Sequence, residues 1–160
     1  MQSVSESIIC RPSFKDIFSL PFLFKRAILT DFSFYGEQVK KRILKKNSLL
    51  RLFFARVRRR RILLVAKIDG KCVGVIISSC NANIGVIHWL FVLPEYRGKK
   101  IGFNLVKQSE DQLGKLGCHK ITLTTELAPE FYKNLGYIEE GLLKKHWWKT
   151  DFTIMSKIIC

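Results

Sequence analysis

Three apolar, β-rich segments between residues 61 and 93 restrict the possible folds of this chain more than any other feature: "RILLVAKI", "KCVGVIISSC" and "IGVIHWLFVL". The first two are joined at Asp69-Gly70, a pair typical of a tight hairpin because both turn residues need positive φ. The stretch "NAN" at 81–83 turns the chain again. Apolar and polar residues hardly alternate here, so we expect strands that are buried on both faces.

Helical patterns dominate the preceding 60 residues, after one short strand candidate, "SIICR". Ser13 followed by Asp16 resembles a capping box that starts a helix. The stretch "EQVKKRILKK" after Gly36 predicts another helix. A further helix is predicted in "LLRLFFARVRR", where these apolar residues recur at helical spacing beside arginines: Leu49, Leu50, Phe53 and Val57.

Helices and strands alternate after residue 98. A helix is expected from Lys99 to about Leu116, with Gly117 just past its end. "KITLTT" predicts a strand, "PEFYKNL" a short helix with Pro129 in its first turn, and two closing strands follow. We therefore predict one α/β domain over residues 1–160, with a single mixed, mostly antiparallel sheet covered by helices.

The composition indicates a globular chain without a transmembrane segment. The uncharged stretch 72–94 is divided by "SSCNAN" into two runs of strand length. The first ten residues have no basic start and no long apolar run, so no secretory signal is predicted. Five cysteines without metal-ligand spacing indicate reduced thiols in a cytoplasmic protein and no metal site: Cys10, Cys72, Cys80, Cys118 and Cys160.

The net charge of +15 is concentrated in the first part of the chain. Residues 1–68 hold sixteen Lys/Arg against four Asp/Glu, whereas residues 69–160 hold twelve against nine. Such a basic region could contact nucleic acid or an anionic membrane surface, or form a solvated helix face that keeps the protein soluble. Charge alone leaves these alternatives open.

A basic, glycine-containing stretch, "PEYRGKKIG", directly follows the buried strand "VIHWLFVL". Backbone N–H groups at the start of a helix are unpaired, and the helix dipole there favours negative charge. Glycines let the backbone approach a ligand closely, so this turn could cradle phosphate groups. An ordinary strand-to-helix connection with solvated lysines fits charge and glycine equally well.

The stretch "VLPEYRGKKIG" resembles the coenzyme A-binding signature of the GNAT superfamily of acetyl-CoA-dependent N-acetyltransferases. In that signature an Arg or Gln is followed by two residues, Gly, one residue, and Gly or Ala. Arg97 and Gly102 match its ends, whereas Lys100 stands where the middle glycine is usual. A second stretch, "APEFYKNLGY", resembles the family's late helix and the start of the strand after it. The resemblance extends from about Ile8 to Lys157 and implies the GNAT fold.

The resemblance implies acetyl-CoA as cosubstrate and assigns residues to it. Leu90, Phe91 and Val92 correspond to the strand end that binds the pantetheine arm and the acetyl carbonyl. Thr125 stands where many members carry an asparagine that contacts the cofactor. The pyrophosphate would be held by Arg97, Gly98, Lys99, Lys100, Ile101, Gly102 and Phe103.

Two side chains are candidates for moving protons. His88 stands where many members carry a glutamate that helps to deprotonate the acceptor amine, and its alternative is a core histidine. Tyr132 aligns with the tyrosine that commonly protonates the leaving sulfur, and its alternative is aromatic packing. His119 has no evident role, and His146 begins a His-aromatic-aromatic segment expected to pack near the acceptor cleft.

These observations predict an N-acetyltransferase that moves acetyl from acetyl-CoA to a primary amine by direct attack in a ternary complex. The basic first half suggests an acidic acceptor, or one in acid-rich surroundings such as a ribosome. Transfer of a longer acyl chain is a further alternative. So is a non-catalytic module that binds nucleic acid or an anionic membrane. The resemblance also allows a homodimer, since many members pair through their last strands.

Overall fold

The computed structural model describes residues 7–146 and 149–159. Its strands are β1 (Ile8–Cys10), β2 (Arg61–Ile68), β3 (Lys71–Asn81), β4 (Ile84–Val92), β5 (Lys120–Thr125), β6 (Ile138–Leu143) and β7 (Phe152–Ile158). Its helices are α1 (Phe14–Thr30), α2 (Glu37–Lys46), α3 (Leu49–Val57), α4 (Ile101–Lys115) and α5 (Pro129–Lys133). Two expectations fall outside these ranges: the aromatic pair after His146, and the thiol of Cys160. The four described cysteines are free.

One seven-stranded sheet runs in the order β1-β2-β3-β4-β5-β7-β6, and β4 with β5 is its parallel pair. The predicted hairpin between β2 and β3 turns at Asp69 (φ 49°) and Gly70 (φ 76°), which supply the two positive φ angles that a tight hairpin needs. The turn from β3 to β4 uses Ala82 and Asn83 in the same conformation, with φ 47° and 61°. The predicted mixed, mostly antiparallel sheet is confirmed.

Helices cover both faces of the sheet, which is why the central strands are apolar on both sides. Ser78 of β3 faces α4, since its hydroxyl is hydrogen-bonded to that of Ser109 at 2.7 Å. The neighbouring Ile77 points to the other face, where its paired residue Trp89 packs against Phe24 of α1 at 5.2 Å between ring centroids. The core therefore consists of two apolar layers, one on each side of β2, β3 and β4.

The helix starts and ends follow local signals. Ser13 and Asp16 form the predicted capping box of α1, with the Asp16 N–H donating to the Ser13 hydroxyl at 3.2 Å. In α4, Ile101, Leu105 and Leu113 are buried, whereas Leu116 lies at the helix end and is exposed. The helix α3 also forms as predicted, but Leu52 and Ala55 are its buried residues. The apolar residues that define its periodicity instead face solvent: Leu49, Leu50, Phe53 and Val57.

Strands β4 and β5 are paired only near their starts, where residues 84–86 pair with residues 120–122. The register of β4 against β3 shifts at Ile77/Ser78, which pair with Trp89 and Ile87, so His88 is the extra residue of a β-bulge. A bulge bends its strand, and β4 beyond this point has no partner on the side of β5. The diverging strand ends open a gap in the middle of the sheet. No helix within the described residues is long and apolar enough to cross a membrane.

Candidate active site

A cavity of about 650 Å³ lies where β4 and β5 diverge. Its walls come from the second halves of both strands and from α2, α3 and α5. Four of the residues expected to take part in catalysis or cosubstrate binding line it: His88, Leu90, Thr125 and Tyr132. His119 and His146 are not among the described residues that line this cavity.

The basic glycine stretch forms an exposed loop that leads from β4 into α4. A short 3₁₀ turn, Pro94–Tyr96, is followed by Gly98 at φ 76°, and α4 begins at Ile101. The first backbone bond of the helix is Asn104 N–H to the Lys100 carbonyl at 3.0 Å. Among the described residues, none accepts a hydrogen bond from the backbone N–H of Gly98, Lys99 or Lys100. The loop therefore offers unpaired donors next to a helix N-terminus and two lysines.

Lys100 has the backbone conformation that glycine adopts most readily. It is the N-cap of α4, with φ 58° and ψ 11° in the left-handed region. A non-glycine residue there costs roughly 1–2 kcal/mol. Lys100 in place of the usual glycine therefore keeps the same turn, but its backbone is strained.

Gly102 connects the loop to the cavity. A Cβ at this position would lie 3.5 Å from the ring of Phe131 and 3.7 Å from Val92 Cγ2. Phe131 also lines the cavity. The loop and the cavity are thus adjacent, and a larger side chain at 102 would enter the space between them.

The guanidinium of Arg97 is held by other protein groups rather than left free for a ligand. Its Nε donates to the Val92 carbonyl at 3.0 Å, and Nη2 donates to Asp31 at 2.7 Å. The same group lies 5.5 Å from the centre of the Phe91 ring. These contacts tie the loop to the end of β4 and to the residue that follows α1.

The end of β4 exposes backbone on one edge. Leu90 is half-buried, whereas Phe91 and Val92 are buried. All three pair with β3 on one side, and β5 has already diverged on the other. This free edge could bind an extended ligand through main-chain hydrogen bonds.

Tyr132 projects from α5 into the cavity. Thr125 Oγ1 accepts the Ala128 N–H at 3.2 Å, which fixes the chain just before α5. Tyr132 is buried, and its ring packs edge-on against Phe131 and Tyr137, at 5.0 and 5.6 Å between centroids. Burial raises the pKa of its hydroxyl above the ordinary value. No described residue forms a hydrogen bond with that hydroxyl, which therefore stays protonated and free to donate.

His88 is exposed to the cavity, so the alternative of a core histidine is wrong. Its Nε2 lies 2.7 Å from Ser79 Oγ. The cavity walls partly desolvate the ring, and this desolvation and the positive charge of Arg61 lower the pKa of the imidazole below its usual value. The bulge determines which face of the sheet each side chain of β4 points to. Without the extra residue, the side chains on one side of the bulge would point to the opposite face.

Two functional candidates were missed by sequence reasoning. Tyr35 donates a hydrogen bond to the carboxylate of Glu126, and both line the cavity. Burial raises the pKa of each group, and the carboxylate of Glu126 adds to the rise for Tyr35. The two are 91 positions apart. The one available signal was an acidic residue directly after the strand "KITLTT".

The charges around the cavity are mainly positive. Its basic lining residues are Lys46, Arg51 and Arg61. Of its two acidic lining residues, Asp31 is paired with Arg97, and Glu126 is bonded to Tyr35. Within the described residues, no group of three His, Cys, Asp or Glu side chains has the arrangement of a metal site.

Known proteins resemble this chain in sequence and structure. The sequence profile of the acetyltransferase (GNAT) family matches residues 25–137. An uncharacterized N-acetyltransferase from Methanocaldococcus jannaschii is 32% identical over 91 residues, which cover 50% of this chain and 40% of that relative. The PaiA N-acetyltransferase from Thermoplasma acidophilum, solved in complex with coenzyme A, superposes with a TM-score of 0.82 at 26% identity over 96% of this chain and 99% of that one. Ard1 from Thermoplasma volcanium shares the fold, with a TM-score of 0.72 at 19% identity over 96% of this chain and 98% of its own.

Proposed function

This chain belongs to the acetyltransferase (GNAT) family, and from that premise we propose that it transfers an acetyl group from acetyl-CoA to a primary amine by direct attack in a ternary complex. One observation carries the proposal. A loop with unpaired backbone N–H groups adjoins, through Phe131, a cavity that contains both a neutral imidazole and a protonated phenol. Anion binding and proton transfer are thus available side by side.

The residues present fit an anionic, extended cosubstrate. The N–H groups of residues 98–103 and the two lysines of the loop would hold the pyrophosphate. The free edge of β4 at Leu90, Phe91 and Val92 would bind the pantetheine arm, and Thr125 lies on the opposite strand end. The guanidinium of Arg97 would act by holding the loop against Val92 and Asp31. When bound, acetyl-CoA supplies the acetyl thioester.

The acceptor amine must lose a proton before it can attack. An ordinary lysine amine has a pKa of about 10.4, so making it neutral at pH 7 costs roughly 4–5 kcal/mol. His88 would accept this proton, because its lowered pKa keeps the imidazole neutral at pH 7. This role requires the tautomer in which Nε2–H donates to Ser79 Oγ, which leaves Nδ1 as the acceptor.

As the new N–C bond forms, the C–S bond of the thioester breaks, and the leaving sulfur takes its electron pair and becomes negatively charged. A thiol with pKa about 8.5 lies only about 2 kcal/mol from ionisation at pH 7. Tyr132 would donate its proton, or a strong hydrogen bond, to this sulfur. Burial raises the pKa of the phenol, so its hydroxyl stays protonated and can donate to the developing thiolate.

The positive cavity wall supports an acidic acceptor. A carboxylate on the acceptor would be attracted by Arg51 and Arg61, whereas a polyamine would be repelled. We expect KM for such an acceptor to rise with salt while kcat changes little. Acceptor kinetics that do not depend on salt would count against this assignment.

Isothermal titration with acetyl-CoA, followed by a thiol-release screen of amine classes, tests the function. We expect micromolar binding and release that requires an amine. Replacing Gly102 with Val should weaken acetyl-CoA binding at least tenfold, because the added methyl groups would meet Phe131 and Val92. Gly114→Val is the matched control, since a Cβ there comes no closer than 3.9 Å to a side chain, that of Ile159. Absence of binding at high micromolar acetyl-CoA would refute the enzyme and leave a non-catalytic module.

A further inference from the structure

The helix α1 carries an apolar stripe that faces solvent. Phe14, Phe18 and Phe22 are 57%, 74% and 62% exposed, and Leu29 is 60% exposed. At 100° per residue these four side chains fall within an arc of about 80°. Lys25 lies in the same arc and is exposed. Single exposed apolar residues are common, but an aligned series on one helix is not.

The helix α3 adds a second apolar face beside the first. Its outward arc contains only apolar residues, at 41–66% exposure: Leu49, Leu50, Phe53, Phe54 and Val57. Phe53 lies 5.9 Å from Phe14 of α1 between ring centroids, so the two surfaces are continuous. We call these nine residues of α1 and α3 the aromatic face.

Positive charge surrounds the aromatic face. Arg56 lies 4.7 Å above the ring of Phe14. Five further cations within or beside it are exposed and form no salt bridge with any acidic residue of the described ranges: Lys15, Lys25, Arg58, Arg59 and Arg60. The nearest acidic side chain on α1, Asp16, is engaged by Lys67 at 2.9 Å.

We propose that the aromatic face docks this protein on an anionic lipid bilayer, with the Phe and Leu side chains in the interfacial region and the Lys and Arg side chains at the headgroups. Apolar residues on one helical face, bordered by cations, are what interfacial helices present to such membranes. The chain's charge of +15 opposes face-to-face pairing of two copies, because both faces are basic. Nucleic acid would satisfy the cations but leave most of the nine apolar side chains in water.

This arrangement brings the cavity close to the bilayer. Leu52 and Ala55 line the cavity from the buried side of α3, together with the exposed Arg51, while the aromatic face occupies the outer side of this helix. A helix is about 10–12 Å across, so the cavity wall would lie roughly that far from the headgroups.

Co-sedimentation of the full chain with phosphatidylcholine vesicles, with and without phosphatidylglycerol, tests the proposal. We expect binding that requires phosphatidylglycerol and that falls at least tenfold in Phe18→Ser/Phe22→Ser. Ile138→Ser/Ile158→Ser is the matched control, because these residues are 64% and 60% exposed on β6 and β7; its binding should not change. Circular dichroism and thermal unfolding establish that each variant is folded.

A second pair of variants separates charge from apolar contact. Arg58→Gln/Arg59→Gln should lose about fivefold in binding per residue. Lys115→Gln/Lys144→Gln removes the same charge elsewhere, at the end of α4 and after β6, and should bind almost as well as the wild type.

Several results would overturn the proposal. One is equal binding by the phenylalanine variant and the wild type, which would mean adsorption through charge alone. Another is a wild-type dimer in analytical ultracentrifugation that the phenylalanine variant does not form, since a second copy of the chain would then cover the aromatic face. A third is tight, salt-sensitive binding to an oligonucleotide without any binding to phosphatidylglycerol vesicles. Acetyl-CoA binding is measured separately, so failure here leaves the proposed enzyme unaffected.

Discussion

Replacing Tyr132 with Phe tests the proposed acid with little disturbance of the structure. The ring contacts with Phe131 and Tyr137 are kept, and the hydroxyl that is lost has no hydrogen-bond partner among the described residues. We therefore expect the free energy of unfolding to change by less than about 1 kcal/mol. Acetyl-CoA affinity should stay within about twofold, since the phenol is proposed to act on the sulfur only as charge develops there.

The rate should fall much more than the stability. A hydrogen bond to a charged group contributes about 1.5–3 kcal/mol, so we expect kcat to fall roughly 10- to 150-fold at saturating acetyl-CoA and amine. The pH profile provides a second readout. Because burial raises the pKa of Tyr132 above 10, the phenol should not cause any loss of rate on the alkaline side below pH 10.

Tyr137→Phe is the matched control for this experiment. Its hydroxyl is also buried, near the Glu110 carboxylate, but Tyr137 is not among the described residues that line the cavity. We expect kcat to be unchanged in this variant. Thiol release measures the rates, calorimetry the affinity, and urea unfolding the stability. Equal rates for Tyr132→Phe and the wild type, or equal losses in both variants, would refute the role of Tyr132 as the acid.

Three further predictions concern the base, the loop and the core. His88→Gln should lower kcat/KM at least tenfold and abolish the acid limb expected in the wild-type pH profile. Because desolvation and Arg61 lower the pKa of His88, this limb should lie below the usual imidazole range. His119→Gln should change neither quantity, and a retained acid limb in His88→Gln would exclude this base. In urea titrations, the free energy of unfolding of Lys100→Gly should be about 1 kcal/mol higher than that of Lys100→Ala. Both variants lack the charge, but only glycine adopts the left-handed backbone conformation without strain. Equal midpoints for the two variants would show that this strain is absent. Gly85→Ala should lower the free energy of unfolding by about 1–3 kcal/mol, because its Cβ would lie 2.9 Å from Leu113 Cδ1 and 3.1 Å from Ile121 Cγ1. An unchanged melting temperature would mean that Leu113 and Ile121 move aside without cost.

Several features of the structure were predictable because the groups that cause them are neighbours in sequence. The hairpin at Asp69-Gly70 and the capping box at Ser13 depend on φ angles and hydrogen bonds within four residues. Gly117, expected just past the end of α4, likewise adopts a positive φ of 83°. The placement of His88 was not predictable, because the bulge depends on how β4 pairs with β3.

The sequence by itself determined most of the order of helices and strands, several of their turns and helix starts, and the resemblance of two stretches to the GNAT family, since local propensity and spacing encode these features. Tertiary structure alone decided which groups meet. It joined Arg97 to Asp31 across 66 positions and Tyr35 to Glu126 across 91, and it turned the apolar residues of α3 outward. The physical reason is that such contacts depend on how whole helices and strands pack, and residue spacing along the chain carries little information about that packing.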